Sequence, residues 1–583
     1  MMPNSYVNKV NLADGTTIMD ISDTTATPED VASGKYFYTA AGARVQGSAS
    51  GGGELFYVTP EDYGAVGDGV TDDSQAVQDA CDAGYAVYFA SGKTYYLAST
   101  VTIDHDCHLF GGEGATIKTK TPTGGTVNDA IVVSGTLKKT TTLTSDYNAV
   151  GTATANAGNR FQFSDMTDID IGDLFVVTAT DQFYSYNRQY YYLGGTFVVA
   201  EKDENYLYVS DALPWDIENT NDVSVTVYDA PSVVVENLKF ESDLDSSWTY
   251  HYCLGLLRCK NSTVKNVSMS YMDNGLLLRE CVNTSVNCVS VSTTPVQMSS
   301  GTEHDHYGIA LYACNNTVIE RVSSEGANSC VDLSGHTPNM NTYIRNCQLF
   351  GSNRTSGLGM HENAYNTIVE DSVIGGMVGY GTVIVKRCRF VQRNKQPDSN
   401  TAITYRGSHN AQWSKLTMED CVFEGSNLQF LLHRHSPQSP IQPYHNVIGE
   451  IIIRNCNGGR FMCTLETDET ILSNKIQRIV LDNWRDCYDV QRNSYFSVDD
   501  MIVRNCTFTK VYWMNDGNNS HGVVLDGIRR LDYSSVNPIM HKVYANGTGV
   551  YGDNPVLPEG VAINLSSDNS VLPSADYPQP PKA

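Results

Sequence analysis

The sequence predicts an all-β chain wound as a right-handed parallel β-helix, and three observations carry that expectation. One short pattern keeps returning: β-branched residues, a polar or charged pair, then Cys or Val. It reads STVKNVSMS from Ser262, NTSVNCVSV from Asn283, NTVIERVSS from Asn316, NTYIRNCQLF from Asn341, NTIVEDSVI from Asn366, GTVIVKRCRF from Gly381, LTMEDCVF from Leu416, EIIIRNCNG from Glu450, QRIVLDNW from Gln477 and DMIVRNCTF from Asp500. Its spacing, about 16 to 35 residues, leaves no room for a helix in most repeats, which excludes βαβ units and leucine-rich repeats and favours a solenoid of strands. A short helical segment stands just ahead of the first repeats, where the open end of a solenoid sheet needs cover.

That segment lies in DYGAVGDGVTDDSQAVQDACDAGYAVYFASGKTYYL, from Asp62 to Leu97. Thr71, Asp72, Asp73 and Ser74 suit a helix N-terminus, where side-chain oxygens accept hydrogen bonds from free backbone N–H groups. Ala76, Val77, Ala80 and Cys81 recur at helical spacing, and Gly84 is a stop signal. Asp72 and Asp73 are therefore expected to start a cap helix running to about Asp82, and not to form a catalytic pair. Two strands around a Ser91–Gly92 turn follow.

The expected organisation is an N-terminal module and Gly/Ser linker (1–53), a cap helix with the first coils (54–136), an inserted antiparallel subdomain (137–230), the main β-helix (231–535) and a C-terminal tail (536–583). The insertion breaks the coil pattern with alternating strands, and SYNRQYYYLGG at its centre is aromatic-rich. The recurring cysteines 288, 347, 388, 421, 456 and 506 are expected in one buried column of small hydrophobes.

Composition narrows the function. The 583 residues carry a net charge of −26, so no nucleic-acid partner is expected. No run of apolar residues is long enough to span a membrane, and the N-terminus shows no apolar signal region. The 15 cysteines contain no CxxC pair and are expected to be reduced. Tyrosine (35) is twice as frequent as phenylalanine (17), as on sugar-binding faces, although β-propensity alone favours it.

A second column of strands holds the candidate chemistry. GIALY (Gly308–Tyr312), CVDLS (from Cys330), LGMH (from Leu358), AITYR (from Ala402), FLLH (from Phe430) and CTLE (from Cys463) are expected in one register. Alternation then turns Ile309 and Leu311 inward and Tyr312, Asp332, His361, Arg406, His433 and Glu466 outward. Loops at the edge add His304, Asp305, His306, His336, Glu362 and His435. Exposed sheet faces are ordinarily polar, but six of the 13 histidines fall here, and clustered titratable groups mark functional sites. Asp332, Glu362, His361 and Arg406 are the expected catalytic groups and the others the substrate-binding ones.

Three chemistries fit. A glycoside hydrolase, slightly favoured, would use Asp332 and Glu362 as its two carboxylates. A polysaccharide lyase would use His361 or His433 as base and Arg406 as the neutralising cation. A phosphodiesterase would join the histidines to the acids, with a divalent cation left open. Otherwise no cofactor or metal is expected.

Residues 58–97, with the glycine-rich turn, the helix and VYFASGKTYYL, resemble the N-terminal hallmark of the pectate lyase-like superfamily, in the version found in bacteriophage tailspikes and tail-associated depolymerases. The coil pattern extends the resemblance over about residues 55–530. Residues 1–53, ending in SASGGG, resemble a short module near the N-termini of phage tail proteins. The resemblance implies a virion appendage made in the host cytoplasm, a homotrimer held to a tail or baseplate protein, with a bacterial surface glycan as ligand. The chain departs from the polygalacturonase-like members: SGHTPN lacks the second glycine of their Gly-His-Gly motif, and their Arg-x-Lys motif has no counterpart. A glycan-binding fibre without catalysis and a structural tail spacer are the alternatives.

Overall fold

The computed structural model describes residues 57–530 except 121–128, 152–153, 183–190, 220–222, 244–251, 271–273, 293–306, 352–356, 362–363, 392–402, 407–410, 425–428, 434–444, 464–472, 493–495, 514–522 and 527–528, together with 9–11, 17–20, 36–39, 44–46 and 563–564. The chain forms two units, Met1–Val58 and Thr59–Ala583. In the first, Lys9–Asn11 pairs antiparallel with Thr17–Asp20, and Tyr36–Tyr38 with Arg44–Gln46.

The second unit is a parallel β-helix of three long sheets, with 12, 14 and 15 strands. Most coils give one strand to each sheet, and among the described residues the coils after Gly458 give strands only to the 14- and 15-stranded sheets. Tyr307–Tyr312 lies in the 14-stranded sheet, Asn315–Glu320 in the 15-stranded sheet and Ser323–Glu325 in the 12-stranded sheet. The next coil begins at Ser329, in register with the last. Inward side chains, such as Ile309, Leu311, Ile319 and Leu333, are fully buried. The corner after each 15-stranded-sheet strand needs one left-handed residue, supplied mostly by Asn or Asp: Asn266, Asn346, Asp371, Asp420, Asn455, Asn483 and Asn505 all have positive φ.

That corner corrects the cysteine column. Cys347, Cys388, Cys421, Cys456 and Cys506 are buried one residue past the left-handed position, as expected. Cys288 is not: it occupies the left-handed position itself (φ 54°), is exposed, and accepts a hydrogen bond from Arg321 Nε at 3.2 Å, while Val289 fills the buried place.

The cap helix α1 spans Ser74–Ala83 and buries Val77, Ala80 and Cys81. The two aspartates divide their work. Asp72 Oδ1 accepts from the Ser74 N–H at 3.0 Å and the Ala98 N–H at 3.3 Å. Asp73 makes no side-chain cap; its buried carboxylate instead accepts from the Val66 and Gly67 N–H groups at 2.7 and 3.0 Å and pins the glycine turn. Gly84 ends the helix in extended backbone (φ −148°).

The outer face of the 15-stranded sheet carries a ladder of alternating charge. Successive partners in strict register are Glu236, Lys265, Asn287, Glu320, Arg345, Glu370, Lys386, Glu419, Arg454, Asp482 and Arg504. Ion pairs link rungs, among them Arg345–Glu320 at 3.1 Å and Arg504–Asp482 at 2.6 Å. Two residues back on each strand runs a mostly apolar row: Val318, Tyr343, Ile368, Ile384, Thr417, Ile452, Val480 and Ile502.

The insertion forms a four-stranded antiparallel sheet from Thr136–Thr142, Ser224–Asp229, Leu174–Gln182 and Tyr192–Val198, with a smaller sheet beside it. It is clamped to the corner between the 14- and 15-stranded sheets. Thr196 Oγ1 donates to the Ala313 carbonyl at 2.6 Å, and Asn315 Nδ2 to the Thr196 carbonyl at 3.1 Å. Trp215 packs edge-on against Trp413 and Tyr365, with centroids 5.8 and 5.5 Å apart.

Candidate functional site

The 14-stranded sheet orders the expected residues. Ala310, Asp332, Gly359, Val378 and Thr404 are successive partners on its outer face. Asp332 thus points outward, as alternation predicts, between the small residues Ala310 and Gly359. His361 follows Met360, which pairs with Leu333, so it stands one column over, in line with Ser334 and Tyr312. His361 Nε2 lies 3.1 Å from Asp332 Oδ1.

The expectation of an open polar face fails at Asp332. Its side chain is 1 % exposed against 27 % for His361. Tyrosines roof it: Tyr252 and Tyr307 open their strands three residues before Gly255 and Ala310, and pack with Leu277, Ala310 and Tyr312. The Tyr252 and Tyr312 hydroxyls are 3.3 Å apart, and Arg279, the register partner of Tyr312, lies over its ring at 5.5 Å. Burial first, with the Asp332 charge adding to it, holds both phenols above their ordinary value, so they remain protonated. Neither Asp332 oxygen makes a hydrogen bond of regular geometry, and a buried carboxylate in that state depends on its imidazole neighbour. A Cβ on Gly359 would sit 2.5 Å from Ser329 Oγ and 2.9 Å from Asp332 Oδ1, so a larger residue here would have to displace both side chains.

The remaining expected residues do not join this cluster. A strand absent from the expected register, Met377–Gly379, comes between those of His361 and Arg406. Arg406 is therefore three strands from Asp332, roughly 14 Å at ~4.8 Å per strand, and its partner His433 is four away. The strand after Gln429–His433 is Arg460–Cys463, with Phe430 opposite Phe461, so Cys463 of CTLE joins the sheet two residues out of the expected register. Glu466, with His304, Asp305, His306, Glu362 and His435, lies outside the described residues. His336 is exposed on the turn after the Asp332 strand, where its carbonyl accepts from the Tyr192 N–H of the insertion at 2.7 Å. Arg279, Tyr252 and Tyr307 were missed; the spacing shared by YCLG and YGIA, a tyrosine three residues before a small outward residue, is the signal that marks the last two. Among the described residues no group of His, Cys, Asp and Glu has metal-binding geometry.

The second unit is thus a three-sheet parallel β-helix with a capped N-terminus and a titratable cluster on one outer face. Residues 57–182 match the family model described as rhamnogalacturonase A/epimerase, pectate lyase-like. The fold is that of phage tailspikes. The chain matches the tailspike gp61 of Pseudomonas phage phi297 with TM-score 0.58 at 16% identity, covering 81% of this chain and 80% of that one. It matches the tailspike gp49 of Pseudomonas phage LKA1 with TM-score 0.56 at 15% identity, covering 81% of each. It also matches the gp54 tailspike of Acinetobacter baumannii bacteriophage AP22, solved with A. baumannii capsular saccharide, with TM-score 0.56 at 15% identity over 81% of this chain and 79% of that one. Sixty-three residues are 49% identical to the plasmin and fibronectin-binding protein A of Streptococcus pneumoniae, spanning 10% of this chain and 9% of that protein.

Proposed function

We propose that the chain is a phage tailspike that binds a bacterial surface polysaccharide and cuts it, working as a homotrimer attached to the tail through residues 1–53. The observation that carries the catalytic part is the Asp332–His361 pair under tyrosines, on the outer face of a fold shared with tailspikes. The capsular saccharide held by the AP22 tailspike supports the substrate class.

The cover over Asp332 shifts the reading from hydrolase to lyase. A two-carboxylate glycosidase needs both acids at the scissile bond, whereas Asp332 reaches outward only through His361. In a lyase the groups take complementary roles. Asp332 orients His361, which removes the proton on the carbon beside a uronate carboxylate. The freed electron pair forms a carbon–carbon double bond, the glycosidic C–O bond breaks, and the departing oxygen takes the Tyr312 proton.

Incubation with purified capsule or wall polymer of the host tests this. The expected result is falling polymer size with ultraviolet absorbance from new double bonds. New reducing ends without that absorbance would support a hydrolase, and retention without cleavage would support a glycan-binding fibre.

A further inference from the structure

We infer that the outer face of the 15-stranded sheet, along the row from Val318 to Ile502, is where a second copy of this chain packs. The inference rests on the reading of the chain as a trimer and names the surface that builds it.

The charge distribution carries the argument. The chain has a net charge of −26, so copies approaching at random repel one another. On this face the charges nearly balance. From Glu236 to Asp526 its ladder holds six acids (Glu236, Glu320, Glu370, Glu419, Asp482, Asp526) and five bases (Lys265, Arg345, Lys386, Arg454, Arg504), hence 5 − 6 = −1. The near-balance comes from alternation rung by rung, so little local excess of either sign remains for an approaching acidic surface to meet. Many of the charges are already satisfied within the chain, as in Arg345–Glu320 and Arg454–Glu419, and burying satisfied pairs costs less than burying lone charges.

Shape and polarity agree. The row beside the ladder is mostly Ile and Val, half-buried for the most part by its charged neighbours. It spans eight strands, seven steps of ~4.8 Å, or roughly 34 Å of regular sheet. The 12-stranded sheet offers only a shorter, interrupted row: its outward column runs Ser268, Ser290, Ser323 and Gln348, then Val373, Arg389 and Val422. The 14-stranded sheet holds the catalytic cluster, which a packed copy would shut away from polymer. A repeating apolar row on a nearly charge-balanced face suits a long heterologous contact closing about a threefold axis.

The test is the mass of the full chain in solution. Light scattering should give three times 63.9 kDa for the unaltered protein. Ile368→Glu with Ile452→Glu places uncompensated acid in the row and should give the single-chain mass. Ser290→Glu with Ser323→Glu, on the 12-stranded sheet, should leave the trimer intact. Circular dichroism identifies a variant that has lost its fold. Against that event, the new thiol of Tyr343→Cys should label at least tenfold more slowly than that of Ser290→Cys in an otherwise unaltered chain. A single-chain mass for the unaltered protein, a trimer that survives the double isoleucine change with equal labelling at both positions, or loss of glycan retention with the mass unchanged each overturns the inference. Failure to bind or cut any polymer overturns the function proposed above and leaves the mass result standing.

Discussion

At the scale of the residue, Asp332 is held by what surrounds it. Alternation alone shows that it faces outward, because Ile309 and Leu311 fix the parity of the strand and Ala310 is its partner. The cover was not legible, because it comes from far along the chain: the Tyr252–Tyr312 contact joins residues 60 apart. The proposed roles make a direct prediction. His361→Gln should lower kcat by about 10²–10⁴-fold, the usual worth of a positioned proton-transfer group. Asp332→Asn keeps the shape and removes the charge that orients the ring. It should lower kcat by at least about tenfold, as orienting partners of functional histidines do, with KM and melting temperature little changed. Imidazole in the buffer should restore part of the rate to His361→Ala and none to Asp332→Asn. Unchanged kcat in both isosteric variants would move the chemistry off this sheet.

At the scale of the element, the corners decide what the strands can do. A one-residue difference at the corner turns Cys288 out and leaves Cys347, Cys388 and Cys506 in, and the local sequence does not reveal it: Asn287 precedes the exposed Cys288 as Asn346 precedes the buried Cys347, while Arg387 precedes the buried Cys388. Burial raises the Cys347 thiol to about 11 and those of Cys388 and Cys506 to about 12, from an ordinary 9.0. Because the folded values lie above the unfolded one, these thiols contribute stability that is complete below about pH 9 and is lost as pH rises through 11 to 12. The urea midpoint should therefore be nearly flat from pH 7 to 8.5 and fall above 9; a midpoint still flat at pH 11 would contradict the buried column. Cys288→Ser should remove one fast-labelling thiol per chain. The insertion, recognisable in the sequence by its break in the coil pattern, depends on a contact that was not: Trp413 lies about 200 residues beyond Trp215. Trp413→Ala should cost about 3–5 kcal/mol, as large aromatic truncations do, read as an early transition of the insertion by tryptophan fluorescence.

At the scale of the whole molecule, a solenoid makes each rung the neighbour of two others, so its stability is close to a sum over adjacent contacts. The charge ladder is one such sum, legible in the sequence as the polar pair that closes each repeat but not as an alternation, because uneven coil lengths hide which residues become partners. Arg345 stands between Glu320 and Glu370. Arg345→Glu would put three acids in consecutive rungs ~4.8 Å apart, inside the screening length of about 10 Å at 0.1 M salt and beyond that of about 3 Å at 1 M. The variant should therefore melt below the unaltered chain at low salt and approach it as salt rises to 1 M. Arg345→Gln, which removes the pair without adding like charge, should show a smaller loss and a weaker salt dependence. A loss of melting temperature in Arg345→Glu that is independent of salt would mean that the side chain acts by packing, through its contact with the Tyr343 ring at 5.4 Å, and not by charge.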